Sequence, residues 1–125
     1  MSEREFDVIV FGASGYTGKL VAEYMGKEYG YDESIRWAIA GRNKDKLSSV
    51  KKDLDLDERV SIIEVDSTKK DSLDSMTSSA KCILTTVGPY QLYGSSLVQS
   101  CSENGTDYVD LTGEPGWMYE MINAY

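Results

Sequence analysis

At 125 residues the chain fits one domain with one sizeable core. Its net charge of −8 argues against duplex nucleic acid as a partner, because affinity for the phosphate backbone rests on Lys and Arg. There is no histidine, and the two cysteines, Cys82 and Cys101, fall outside any CxxC spacing, so the sequence offers no metal site and both thiols read as small buried hydrophobes of a reducing compartment.

Met1 to Glu5 is charged and leads straight into an apolar run, without the basic start, apolar stretch and cleavage site of a signal peptide. No apolar run approaches the ~20 residues that a membrane helix needs. A cytoplasmic or membrane-peripheral location is expected.

Phe6 to Phe11 is β-branched and aromatic and stops at Gly12, the pattern of a strand buried on both faces. From Thr17 the period changes to that of a helix, with Leu20, Val21, Tyr24 and Met25 on one stripe and Gly30 closing it. Ile35 to Ala40 predicts a second strand. Asn43 then caps a helix carrying Leu47, Val50 and Leu54. Val60 to Val65 predicts a third strand, Lys69 to Ser79 an exposed helix with Leu73 and Met76, and Cys82 to Val87 a fourth strand. Gly94 to Glu103 predicts a helix with Leu97, Val98 and Cys101 on one face, and Tyr108 to Leu111 a short fifth strand. About five strands alternating with helices imply parallel pairing through right-handed crossovers. The fold class is therefore α/β, a doubly wound parallel sheet of the Rossmann type, with its ligand beyond the carboxyl ends of the strands.

Between the first strand and first helix lies Gly12-Ala13-Ser14-Gly15-Tyr16-Thr17-Gly18, of the form G-x-x-G-x-x-G. Gly12 permits the turn out of the strand, Gly15 leaves room for a pyrophosphate, and Gly18 lets the helix pack close to the sheet. The free N–H groups of the first helical turn then face the phosphates. The candidate phosphate set is Gly12, Ser14, Gly15, Tyr16, Thr17 and Gly18. Lys19 is followed by Leu20 rather than Ser or Thr, so this is not a Walker loop.

The second strand ends in Ala40-Gly41-Arg42-Asn43, where an NAD site usually carries an acid for the ribose 2′-OH. A guanidinium there holds a 2′-phosphate instead, with Lys46 adding charge, so NADP is expected over NAD. Asp66, just past the third strand, is a candidate for the adenine side, with an N-cap of the third helix as the alternative. Val87, Gly88 and Pro89 end the fourth strand, where backbone passes close to ribose and nicotinamide.

Jointly, Val10 to Gly18, Ala40-Gly41-Arg42, Val87-Gly88-Pro89-Tyr90 followed by Gly94, and Tyr108-Val109-Asp110-Leu111-Thr112-Gly113-Glu114 resemble the saccharopine dehydrogenase-like oxidoreductases. The resemblance implies an NAD(P)-binding first domain followed by a larger α+β domain with the substrate contacts. It further implies association with lipid reduction and lipid droplets in the branch of uncertain substrate. On that basis residues 1–114 are the dinucleotide-binding domain and 115–125 the start of a connection to a second domain.

Tyr90, Tyr93, Asp110, Thr112 and Glu114 lie near strand ends, yet none is assigned a catalytic role. Two readings stay open: the NADP-binding part of an oxidoreductase acting on a small molecule or lipid by hydride transfer, inactive alone, and a non-enzymatic NADP-binding sensor or scaffold. From Pro115 on, Trp117, Met118, Met121, Ile122 and Tyr125 form one apolar stripe, expected to contact a second domain or a second copy of the chain.

Overall fold

The computed structural model describes residues 4–31, 35–86, 95–110 and 121–122. Within them β1 is Phe6–Phe11, α1 Tyr16–Tyr29, β2 Trp37–Gly41, α2 Lys44–Asp53, β3 Ser61–Glu64, α3 Lys70–Ser78, β4 Ala80–Thr85, α4 Ser95–Asn104 and β5 Asp107–Val109. The strands form one sheet in the order β3-β2-β1-β4-β5, and every pairing is parallel. This is the expected doubly wound α/β arrangement.

Helices cover both faces, and each has its own apolar cluster. Ala22 and Met25 of α1, with Leu47 and Val50 of α2, pack on Val10, Trp37 and Ile39. Leu73 and Met76 of α3, with Leu97 and Cys101 of α4, pack on Ile9, Phe11, Ala38 and Ile83. Trp37 is fully buried and its indole Nε1 donates to the Gly30 carbonyl at 2.7 Å, so the polar end of the largest core side chain is satisfied.

Polar side chains fasten the second helical layer. Ser100 donates to Asp74 at 2.6 Å, and Asn104 Nδ2 reaches Asp74 at 3.1 Å and Thr77 Oγ1 at 3.2 Å. Arg4, ahead of β1, donates to the Thr77 carbonyl at 2.9 Å and the Asn104 carbonyl at 2.6 Å, and its Nη1 lies 3.2 Å from Thr106 Oγ1.

Several expected strand bounds and one helix face need correction. β2 starts at Trp37 rather than Ile35 and extends to Gly41, while β3 is trimmed to Ser61–Glu64. β4 starts and ends two residues early, because Ala80 pairs with Phe6 and the Phe6 N–H donates to the Ser79 carbonyl at 2.9 Å. The core face of α1 runs through Gly18, Ala22 and Met25. Leu20 and Tyr24 are instead 52% and 58% exposed. The cause is steric: α1 approaches the Gly12–Ala13 backbone closely at Gly18, and this fixes the helix rotation whatever the apolar pattern favours. Leu111 of the expected fifth strand lies outside the described residues.

Candidate functional site

The strand order reverses between β1 and β4, since the chain leaves β1 toward β2 on one side and returns from β3 to β4 on the other. Ligands of open α/β sheets sit outside the carboxyl ends of the strands at such a point. Here that place is an open cleft of about 560 Å³ lined by Phe11, Gly12, Ser14, Gly15, Gly41, Arg42, Asn43, Lys46, Ser67 and Thr86. A neighbouring recess of about 610 Å³ shares Arg42 and adds Glu64, Val65, Asp66, Thr68, Lys69 and Ser72.

The glycine turn is built from the strand outward. Gly12 has φ +89°, which L side chains rarely adopt, and its N–H donates to the Ala40 carbonyl at 2.9 Å. Its carbonyl accepts the Gly15 N–H at 3.0 Å, closing the turn. Gly15 is the N-cap of α1, and the first turn contains no acid. A glycine cap leaves the first N–H groups without a side-chain acceptor, and without an acid nothing competes with an incoming anion. Ser14 is half-buried and Gly15 exposed in the cleft lining, while Tyr16 and Thr17, the next residues, are exposed and Gly18 is buried.

Gly15 itself has φ −79° and ψ 170°, extended backbone that any residue adopts. A Cβ built there meets only the Gly12 carbonyl oxygen at 3.5 Å, an ordinary contact. Neither conformation nor packing within the fold requires glycine at 15. Gly15 lines the cleft.

The end of β2 supplies positive charge. Arg42 is exposed and lines both recesses, and Lys46 joins it one helical turn on. Asn43 caps α2 as expected, accepting the Lys46 N–H at 3.1 Å. Asp66 stands past β3, where its carboxylate accepts the Thr68 N–H at 2.9 Å and the Thr68 hydroxyl at 2.6 Å. Those bonds, with the charges of Lys69 and Arg42, hold its pKa below the usual carboxylate value against a partial desolvation. The N-cap of α3 is Lys69, so the capping alternative for Asp66 is corrected to a tight turn closed on Thr68.

Val87, Gly88 and Pro89 lie outside the described residues, as do Tyr90, Tyr93, Thr112 and Glu114. Ser67, read from the sequence together with Asp66 as a candidate for the adenine side, lines the cleft, whereas Thr86, also in its wall, was passed over. Thr86 was hidden by the strand register: with β4 drawn to Val87 it counts as a strand residue, whereas β4 ends at Thr85 and leaves Thr86 at the cleft mouth. Its N–H donates to the Phe11 carbonyl at 3.0 Å.

The family model described as saccharopine dehydrogenase NADP binding domain matches residues 8–125. Two curated relatives are similar over almost the whole chain. A trans-acting enoyl reductase of Mycobacterium bovis is 39% identical, over 99% of this chain and 29% of its own length. A lipid droplet localized protein of Caenorhabditis elegans is 37% identical, over 96% of this chain and 29% of its own. The chain thus spans about three-tenths of the length of these relatives. Among solved structures, apo saccharopine dehydrogenase (L-Glu forming) of Saccharomyces cerevisiae superposes with a TM-score of 0.71 at 17% identity, covering 91% of this chain and 23% of that one. At that identity the likeness is one of fold.

Proposed function

The chain belongs to the saccharopine dehydrogenase NADP binding domain family, and from that premise we propose that it is the cofactor-carrying part of an oxidoreductase that transfers a hydride between NADP and a substrate. The observation that carries this reading is the pairing of two features in one cleft: a glycine at 15 that the fold does not need, and the cations Arg42 and Lys46 where an NAD site would carry an acid.

The residues take these roles. Backbone N–H groups of the turn and first helical residues, from Gly12, Ser14, Gly15, Tyr16, Thr17 and Gly18, receive the pyrophosphate. Arg42, with Lys46, holds the 2′-phosphate by charge-assisted hydrogen bonds. Asp66 flanks the adenine, its carboxylate oriented by Thr68. Val87, Gly88 and Pro89 flank the ribose and nicotinamide. The nicotinamide supplies the hydride when bound, and the protein supplies position and electrostatics.

Residues 1–114 are assigned to dinucleotide binding, and 115–125 to a connection toward a substrate domain. The greater length of the relatives supports placing the substrate contacts outside this chain. Their names support a lipid or enoyl substrate class and a lipid-facing location for the full-length protein. Among the described residues no helix is long and apolar enough to cross a membrane. Ile122, 76% exposed, supports contact of the 115–125 segment with a second copy, which light scattering with and without that segment tests.

Calorimetric titration of NADPH into the chain tests the reading. Saturable one-to-one binding is the expected result, with no NADPH oxidation on saccharopine or simple carbonyl compounds by this chain alone. No binding at millimolar NADPH would overturn it.

A further inference from the structure

Thr86 stands where β4 leaves the sheet beside β1, at the reversal of strand order. Its backbone N–H donates to the Phe11 carbonyl at 3.0 Å. Its hydroxyl lies 3.2 Å from the same oxygen and 3.3 Å from the Gly12 carbonyl oxygen. Carbonyl oxygens only accept, so the hydroxyl is the donor to both and its single proton is shared. The Gly12 carbonyl also takes the Gly15 N–H at 3.0 Å, the bond that closes the turn. Thr86 therefore grips the turn at the point from which its shape is set.

We infer that Thr86 is a positioning residue for the cofactor: its hydroxyl proton, shared by the Phe11 and Gly12 carbonyls, holds the Gly12–Gly15 turn in the form that accepts the pyrophosphate. Two physical reasons support the role. The Phe11 and Gly12 carbonyls, at and just past the end of β1, are negative dipole ends at a cleft that takes an anion, and a shared hydroxyl proton offsets part of that partial charge and fixes them. Gly12 also occupies a backbone conformation with φ +89°, from which an unfastened turn relaxes easily because glycine has many alternatives. This role rests on the reading that the turn carries the cofactor's phosphates.

The contacts also say which variant isolates the effect. In Thr86→Val the shape of the side chain is kept and the proton is lost. Neither carbonyl is orphaned, because Phe11 keeps the residue 86 N–H and Gly12 keeps the Gly15 N–H. Thr86→Ser restores the hydroxyl. The experiment measures the affinity of the unmodified chain and of both variants for NADPH, and for adenosine 2′-monophosphate, which lacks the pyrophosphate. Thr86→Val is expected to weaken NADPH about fivefold, the worth of one neutral hydrogen bond. It should leave adenosine 2′-monophosphate unchanged, and Thr86→Ser should return NADPH to within twofold. A Thr86→Val variant that binds NADPH as tightly as the unmodified chain overturns the inference, as does a loss equal for both ligands or one that serine fails to rescue. Gly15→Val, assayed alongside, separates the two levels. If it keeps NADPH affinity, the phosphate reading itself fails; if it loses NADPH while Thr86→Val does not, only the role of Thr86 fails.

Discussion

A methyl group on Gly18 would overlap the Gly12 carbonyl, standing 2.7 Å from its carbon and 2.8 Å from Ala13 Cα. The obstacle is backbone on both sides, so no flexible side chain can move aside. Gly18→Ala must push α1 away from the Gly12–Ala13 backbone, and we expect a loss of about 3 kcal/mol. In a thermal melt this appears as a midpoint lower by roughly 10 °C or more. A variant melting within a degree or two of the unmodified chain would show that the helix adjusts freely.

Gly15 makes the opposite case, and the contrast separates fold from ligand. Its extended backbone and open surroundings predict that Gly15→Ala changes stability by less than about 1 kcal/mol. Because Gly15 lines the cleft, NADPH affinity is expected to fall at least tenfold in the same variant. Melting without cofactor and titration with it, on one preparation, check both halves.

Arg42 is expected to set the cofactor preference. A charge-assisted bond to phosphate is worth about 1.5–3 kcal/mol, or one to two decades in affinity. Arg42→Ala should weaken NADPH by that factor and leave NADH nearly unchanged. Titrations at one fixed ionic strength test this, and equal losses for both dinucleotides would assign Arg42 a role other than holding the 2′-phosphate.

Asp7 gives a pH dependence with a definite sign. Its carboxylate accepts the Arg36 backbone N–H at 2.8 Å and lies 3.2 Å from Lys81 Nζ and 3.6 Å from Arg36 Nε. Chiefly through the Arg36 N–H, and despite some burial, its pKa falls below the ordinary 3.8. A group depressed in the folded state stabilises above its unfolded pKa and loses that contribution as pH falls through the folded value. Asp7→Asn should therefore cost on the order of 1 kcal/mol at pH 7. The gap to the unmodified chain should close below pH 4, and urea titrations at pH 7 and pH 3 would reveal a gap that stays constant instead.

Both thiols are expected to be quiet. Burial pushes Cys101 up to about 12 and raises Cys82 as well, with the nearby Asp107 charge adding to both. Both shifts make the thiolate, the form that reacts, scarcer than on a free cysteine. Dithionitrobenzoate should label the native chain slowly and both cysteines at once on unfolding. A fast native burst would point to Cys82, the half-buried one of the pair.

The legibility of the sequence followed how local each constraint is. Phe6–Phe11 was readable to the residue because both of its boundaries are chemical: a charged segment before it and Gly12 after it. The cap at Asn43 was equally plain, since one side chain and one N–H make it. The register of β4 was not, because its start depends on pairing with Phe6, more than seventy residues earlier. The rotation of α1 was misread for the same reason: Leu20 and Tyr24 look like a core stripe, but contact between Gly18 and Gly12 decides which face turns inward. In the site, the glycine turn and Arg42 could be seen in the chain, whereas Thr86 became visible only once β1 and β4 were side by side.

The Arg4 clamp carries a consequence for how the molecule is made. Its guanidinium is held by Asn104 and Thr106, 100 and 102 positions further along. During synthesis Arg4 therefore emerges about a hundred residues before its partners. β1, the central strand, likewise waits for β4 to cover its second edge. Long-range closures of this kind slow folding and leave strand edges open in the meantime. Arg4→Ala should therefore lower the yield of soluble chain during expression more than its effect on the equilibrium stability of purified protein would suggest.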